Sequence, residues 1–152
     1  MVRLIFDEML KRTAAWCRIF GVDGLHAKDM DDSEILKTAK SEERILVTRD
    51  EELAKRCESA GMRVIMLKND KLEDQLNQLK SELGNIFTFP DKTRCPACNG
   101  ELEITDKEKV KGKVIDNVYE QNEKFWVCKE CGKAYWEGSH WKNITRIFKS
   151  IK

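Results

Sequence analysis

The sequence predicts an α/β protein, a parallel sheet flanked by helices, followed by a small zinc-held module. Three observations carry this. Short apolar runs alternate with amphipathic stretches of about 10–14 residues, the pattern of βαβ units. An aspartate follows each of the apolar runs of the first half closely. Two Cys-x-x-Cys pairs, Cys95/Cys98 and Cys128/Cys131, lie close to the C-terminal end of the chain.

Residues 2–6 form a short, mostly apolar run that carries Arg3, ends at Asp7 and predicts the first strand. Residues 8–20 predict a helix, with Met9, Leu10, Thr13, Ala14, Trp16, Cys17 and Phe20 at i, i+3, i+4, i+7 spacing. Gly21 stands where a helix stop is expected. Residues 24–28 are a weaker strand, followed by the acidic run Asp29-Met30-Asp31-Asp32 and a helix over 32–42. Ile45–Thr48 is the clearest strand, short and partly β-branched. Asp50 is placed to cap a helix over 51–60, which Gly61 ends. A strand over 63–67 and a helix over 71–83 follow, with Asp70 read as a cap and Gly84 as the stop. Residues 87–90 form a linker ending at Pro90 and divide the chain into units 1–88 and 89–152. In the second unit, Leu102–Thr105, residues 124–127 and Ala134–Trp136 predict short strands. Residues 139–151 predict a closing helix with Trp141, Ile144, Ile147 or Phe148, and Ile151 on one face.

Two residues between cysteines let both sulfurs of a pair reach one ion, and four thiolates close a tetrahedron around Zn²⁺ with no position left for chemistry. Cys95, Cys98, Cys128 and Cys131 therefore predict a structural zinc site rather than two secreted-type disulfides. Residues 99–127 between the pairs exceed the usual ribbon gap and predict extra structure there. Cys17 and Cys57 fall inside helical segments and read as small buried apolar groups. His26 and His140 are the chain's two histidines, and neither is tied by sequence to a cysteine nucleophile.

A chain of 152 residues with 41% hydrophobic content can bury a core. No apolar run approaches a membrane span, and Asp7 interrupts the opening run, so no signal peptide is expected. Reduced thiols imply a cytoplasmic setting. Residues 1–90 carry 15 Lys+Arg against 17 Asp+Glu, and residues 91–152 carry 13 against 10, so bulk charge announces no polyanion partner. No Walker-type or Gly-x-Gly-x-x-Gly loop is present, which argues against nucleoside triphosphate hydrolysis.

The acids are the chemical signal. In an open parallel sheet the carboxyl ends of the strands share one edge. Asp7, Asp29, Asp50 and Asp70, distant in sequence, therefore converge there, with Asp32 beside Asp29. Clustered carboxylates repel unless a cation sits among them, and oxygen ligands select Mg²⁺ or Mn²⁺. The competing reading is helix capping, above all for Asp32, Asp50 and Asp70. Arg12 and Arg49 lie close by and suit phosphate, as do Lys11 and Arg18, which read equally as a solvated helix face.

In order along the chain stand Phe6-Asp7-Glu8-Met9-Leu10, Ala15-Trp16-Cys17-Arg18-Ile19-Phe20-Gly21, Asp29-Met30-Asp31-Asp32 and Arg44-Ile45-Leu46-Val47-Thr48-Arg49-Asp50. After them come Cys95-Pro96-Ala97-Cys98-Asn99-Gly100-Glu101-Leu102, Cys128 to Lys133 and Tyr135 to Trp141. Together these runs resemble the Mut-seven C-terminal RNase domain family. The resemblance implies a PIN-like α/β domain with an appended zinc ribbon and a ribonuclease using Mg²⁺ or Mn²⁺. It places catalytic acids at Asp7, Asp32 and Asp50, with Asp29 and Glu34 as neighbours of Asp32. RNA is the implied partner, and a homodimer is a state such proteins often adopt. The first helix departs from the family's usual Gly-Arg-Leu-Ala-Arg pattern: Arg12 is kept, and Ala15 replaces a basic residue.

The leading reading is a metal-dependent endoribonuclease, with Asp7, Asp32 and Asp50 on the metal, Asp29 assisting, and Arg12 and Arg49 holding the strand. Lys129 and Lys133 of the ribbon would help to grip RNA. Trp126, Tyr135 and Trp136 are read first as the ribbon's small core and second as stacking platforms for bases. The alternative is a non-catalytic RNA- or protein-binding module on the same scaffold.

Overall fold

The computed structural model describes residues 1–151. Strands β1 (Arg3–Phe6), β2 (Asp23–His26), β3 (Ile45–Thr48) and β4 (Val64–Met66) form a parallel sheet in the order β2-β1-β3-β4. Between and after them run α1 (Lys11–Ile19), α2 (Asp32–Ser41), α3 (Glu51–Ser59) and α4 (Leu72–Leu83). The chain steps one way from β1 to β2, then crosses back over β1 to β3. Right-handed crossovers then require α1 on one face and α2 with α3 on the other. The core divides accordingly. Leu4, Phe6, Ala14, Cys17, Phe20, Leu72, Leu76 and Leu79 pack on one face, and Ile5, Ile35, Ala39, Leu46, Leu53 and Cys57 on the other. Leu4, Ile5, Phe6, Leu46 and Val47 are fully buried, as central parallel strands covered on both faces demand.

Residues 8–20 do not form one helix. Asp7 accepts a hydrogen bond from the Glu8 N–H at 2.8 Å, and its carbonyl accepts from the Leu10 N–H at 2.9 Å. The result is a 3-10 turn over Glu8–Leu10, and α1 starts only at Lys11. Two caps also differ from expectation. Asp31, not Asp32, caps α2, accepting from the Glu34 N–H at 2.8 Å. Asp70 does not cap α4, whose N-cap position is Lys71 with no side-chain bond. Asp50 does cap α3.

Beyond residue 90, β5 (Leu102–Thr105), β6 (Phe125–Cys128) and β7 (Ala134–Trp136) form an antiparallel sheet in that order. The long spacer holds a 3-10 turn and a short helix, α5 (Asp116–Gln121). The last helix, α6 (Trp141–Ser150), carries the expected apolar face, but that face turns back onto the first unit. Ile147 and Ile151 are buried in the core that holds Leu4 and Phe20, and Phe148 lies 5.3 Å from Phe20 between ring centroids. Among the described residues no helix is long and apolar enough to cross a membrane.

Candidate active site and metal centre

The change of direction in strand order falls at the carboxyl ends of β1 and β3, the position where open α/β sheets place their sites. Asp7 leaves β1 there, and Asp50 follows β3. Thr48 joins them. Its buried hydroxyl donates to Asp7 Oδ2 at 2.8 Å and accepts the Asp50 N–H at 3.0 Å. The Asp7 N–H in turn donates to the Val47 carbonyl at 3.0 Å. Both acids are thus held in one hydrogen-bonded frame, each half-exposed. Asp50 uses Oδ1 for both of its capping bonds, to the N–H groups of Glu52 and Leu53 at 2.9 and 3.3 Å, so Oδ2 takes no part in the cap.

The other two predicted acids stand at the rim. Asp29 is exposed, with left-handed backbone at φ 58°, and its N–H reaches Glu8 Oε1 at 3.4 Å. Asp32 lies in the first turn of α2 and pairs with Arg56 at 3.4 Å. Sequence reasoning missed Thr48, Glu8 and His26. His26 ends β2, and its Nε2 lies 2.7 Å from the Glu8 carbonyl oxygen. Thr48 could have been found, since it opens the Thr48-Arg49-Asp50 run singled out above; the contacts of Glu8 and His26 left no sequence signal.

Among the described residues, no three carboxylates bring their oxygens within 4.8 Å of one another. The donors at this edge are hard oxygens, and they suit a hydrated Mg²⁺ or Mn²⁺ that keeps most of its waters and takes one or two carboxylates. Arg12 in the first turn of α1 and Arg49 beyond β3 are exposed and make no ion pair among the described residues. Arg18, read from sequence as a phosphate contact or a solvated face, is neither. It is buried, and it donates to the carbonyls of Gly24 at 2.7 Å and Pro96 at 2.9 Å.

The four cysteines do converge. Their sulfurs lie within 4.8 Å of one another, with Cys95 to Cys131 at 3.7 Å and Cys98 to Cys128 at 3.4 Å. A tetrahedron of sulfurs about 2.3 Å from zinc has edges of about 3.8 Å, so the donor set fits that ion. Both knuckles use the same turn: Asn99 (φ 73°) and Gly132 (φ 77°) follow the second cysteine in the left-handed region, and each N–H bonds back to the first cysteine's carbonyl. A Cβ on Gly100 would meet Cys128 Sγ at 2.7 Å, so glycine is required beside the sulfur. The Tyr135 hydroxyl lies 3.0 Å from Cys95 Sγ. Desolvation opposes the Cys128 thiolate, but N–H groups of Cys131 and Glu130 aimed at its sulfur win and bring it down to about 7. Burial pushes Cys98 up to about 12. A divalent ion among the sulfurs displaces such protons outright.

The first knuckle docks on the amino edge of the parallel sheet, opposite the acids. Asn99 accepts the Gly24 N–H at 3.0 Å and donates to Asp23 at 2.7 Å. Asp23 also takes Arg44 at 2.8 Å and Arg3 at 3.4 Å, and Arg44 is 8% exposed. Desolvation raises the Asp23 carboxyl, but bonds from Asn99 and Arg44 outweigh it and hold the group below its ordinary value. Further bonds tie Thr93 to the Ile19 carbonyl at 2.7 Å and the Arg94 N–H to the Arg18 carbonyl at 2.8 Å.

Fold and site define a two-part class: a parallel α/β unit with oxygen ligands at its strand-order reversal, and a four-thiolate module clamped to the opposite edge. The Mut7-C RNAse domain family matches the chain over residues 2–148, nearly its whole length, and the chain belongs to that family. Membership carries a ribonuclease-like function, with RNA as the substrate class. No curated protein matches the chain, and no solved structure does.

Proposed function

We propose that the chain is a metal-dependent ribonuclease that hydrolyses internal RNA phosphodiesters at the carboxyl edge of a PIN-like sheet. The observation that carries the reading is the frame in which Thr48 holds Asp7 and Asp50 together at the strand-order reversal. Asp7 and Asp50 would hold Mg²⁺ or Mn²⁺ directly, with Asp29 and Asp32 reaching it through water. When bound, such an ion supplies Lewis acidity toward the phosphate and lowers the pKa of its own water.

The chain's residues do the rest. Arg12 and Arg49, both exposed and unpaired among the described residues, flank the acids and position the phosphate backbone. Thr48 on Oδ2 and the Glu8 N–H on Oδ1 fix the orientation of the Asp7 carboxylate. Zinc in the four-cysteine site keeps the ribbon folded, and Lys133 with Lys129 adds charge for the strand, although Lys129 shares its ammonium with Glu101 at 3.4 Å. Two buried thiols, Cys17 and Cys57, and four cysteines gathered as metal donors rather than disulfides suit a reducing, cytoplasmic setting.

The test is cleavage of an RNA panel by the zinc-loaded chain with Mn²⁺ or Mg²⁺, beside Asp7→Asn and Asp50→Asn. Asparagine caps a helix as well as aspartate does, so Asp50→Asn removes charge and keeps α3. Cleavage that both variants lose supports the reading; cleavage that survives both sinks it. Size-exclusion of the same sample decides between monomer and homodimer. The lack of three converging carboxylates favours a second reading, a non-catalytic RNA-binding module. That reading stands if RNA binds and no metal produces cleavage.

A further inference from the structure

Trp126, Tyr135, Trp136 and Trp141 are each only half-buried, and they converge on a cleft of about 330 Å³ between the ribbon sheet, the linker and α6. Ile19, the last residue of α1, also lines it. The rings of Trp126 and Trp141 stand 6.1 Å apart and nearly parallel, at 17°. Lys124 Nζ lies 4.9 Å from the centre of the Trp126 ring. Beside the cleft runs an open groove of about 1390 Å³ that shares Tyr135, Trp136 and Trp141. Lys113, Lys133, Asn117, Asn122, Ser139 and His140 line that groove, a set of cationic and hydrogen-bonding groups with Glu137 as its one acid.

We propose that the aromatic cleft seats an unstacked base of single-stranded RNA while the adjoining groove carries the backbone that follows it. The proposal rests on the ribonuclease reading for its substrate and names a second contact site for that substrate. Half-exposed indole faces gain from stacking against a flat π-system, and any base supplies one. A lysine already over the Trp126 face adds cation–π character and charge for a phosphate. A purely apolar occupant would leave the neighbouring lysines and amides unused. Asp91 lies at the cleft and repels phosphate, which keeps the backbone to the groove.

The position fits a strand that also reaches the acids. α1 begins near the carboxyl edge and ends at the cleft, and its nine residues span about 14 Å at ~1.5 Å each. A strand anchored by one base therefore needs only a few further nucleotides to reach the carboxyl edge.

The experiment is tryptophan fluorescence of the zinc-loaded full chain, without Mg²⁺ or Mn²⁺, titrated with an oligouridine of about ten nucleotides. Saturable quenching is expected. Trp126→Leu should weaken binding at least about fivefold, the loss of one stacking platform. Lys113→Gln with Lys133→Gln should flatten the salt dependence, and these exposed positions leave the fold intact. Zinc content and circular dichroism verify each variant. Absence of quenching, or unchanged affinity in both variants, overturns the proposal, as does quenching by an apolar peptide alone. RNA cleavage that Trp126→Leu leaves untouched also overturns it while the ribonuclease reading stands. Quenching without cleavage upholds the cleft while the ribonuclease reading falls.

Discussion

The two edges of the parallel sheet are built from the same residue types and behave oppositely. At the amino edge, Arg3, Asp23, Arg44 and Asn99 meet in one partly buried network, and each charge has a partner. At the carboxyl edge, Asp7, Asp29 and Asp50 are open to solvent to varying degrees, and Arg12 and Arg49 make no ion pair among the described residues. Buried charges survive only when paired and hydrogen-bonded, so the amino edge is saturated because the ribbon covers it. Unspent charge at the other edge is available for a ligand. On the function proposed above, the difference separates a structural acid from a chemical one better than sequence position does, since Asp23 opens one strand and Asp7 directly follows another.

The comparison can be broken most severely at the metal. A chelator, or Cys95→Ser, should unfold the ribbon, because structural zinc contributes on the order of 10 kcal/mol to such modules. Asn99 would then leave Asp23, so the α/β unit should also melt at lower temperature; calorimetry with and without zinc reads both. A ribbon that unfolds while the α/β transition stays put would show the amino edge to be self-sufficient.

Asp23→Ala comes next. It strands the Arg44 guanidinium, and losing one partner of a buried pair costs about 3–5 kcal/mol, less here because Glu42 and the Leu4 carbonyl remain as acceptors. The same carboxyl sets an acid limit. Its folded pKa lies below the ordinary 3.8, so its contribution is present above that value and is lost as pH falls below it. Urea unfolding of wild type should weaken below pH about 4, and Asp23→Asn should flatten that slope.

At the carboxyl edge the expected effects are on activity. Asp7→Asn should lower kcat on the order of a hundredfold or more, a few kcal/mol of lost charge at the reacting phosphate, with the melting temperature little changed. Thr48→Val should cost less, about tenfold, because it removes the tie between the acids and leaves both charges. A Thr48→Val that melts early with kcat intact would make Thr48 a core residue only. The smallest effect is expected for Arg12→Gln, which should raise KM a few-fold and reduce its salt dependence.

Much was legible because it depends on neighbours in sequence. Strand and helix periods placed β1, β3, α3 and α6 closely, and Cys-x-x-Cys spacing alone named the four cysteines whose sulfurs converge. Misreadings arose where a local pattern had two outcomes. Residues 8–20 kept their apolar stripe, yet Asp7 capped Glu8 and split the segment. Arg18 sits on a helix whose exposed side cannot be told from its docked side until the knuckle covers it.

Composition, periodicity and spacing by themselves determined the parallel α/β class, the thiolate centre and the acids at strand ends. Tertiary structure alone decided which acids share a frame, that Asn99 locks the ribbon to the edge away from them, and that α6 returns to the first core. The reason is the range of the interactions. Helix turns, caps and knuckles close over three or four residues, whereas Thr48 meets Asp7, and Asn99 meets Asp23, only after crossovers bring distant chain together.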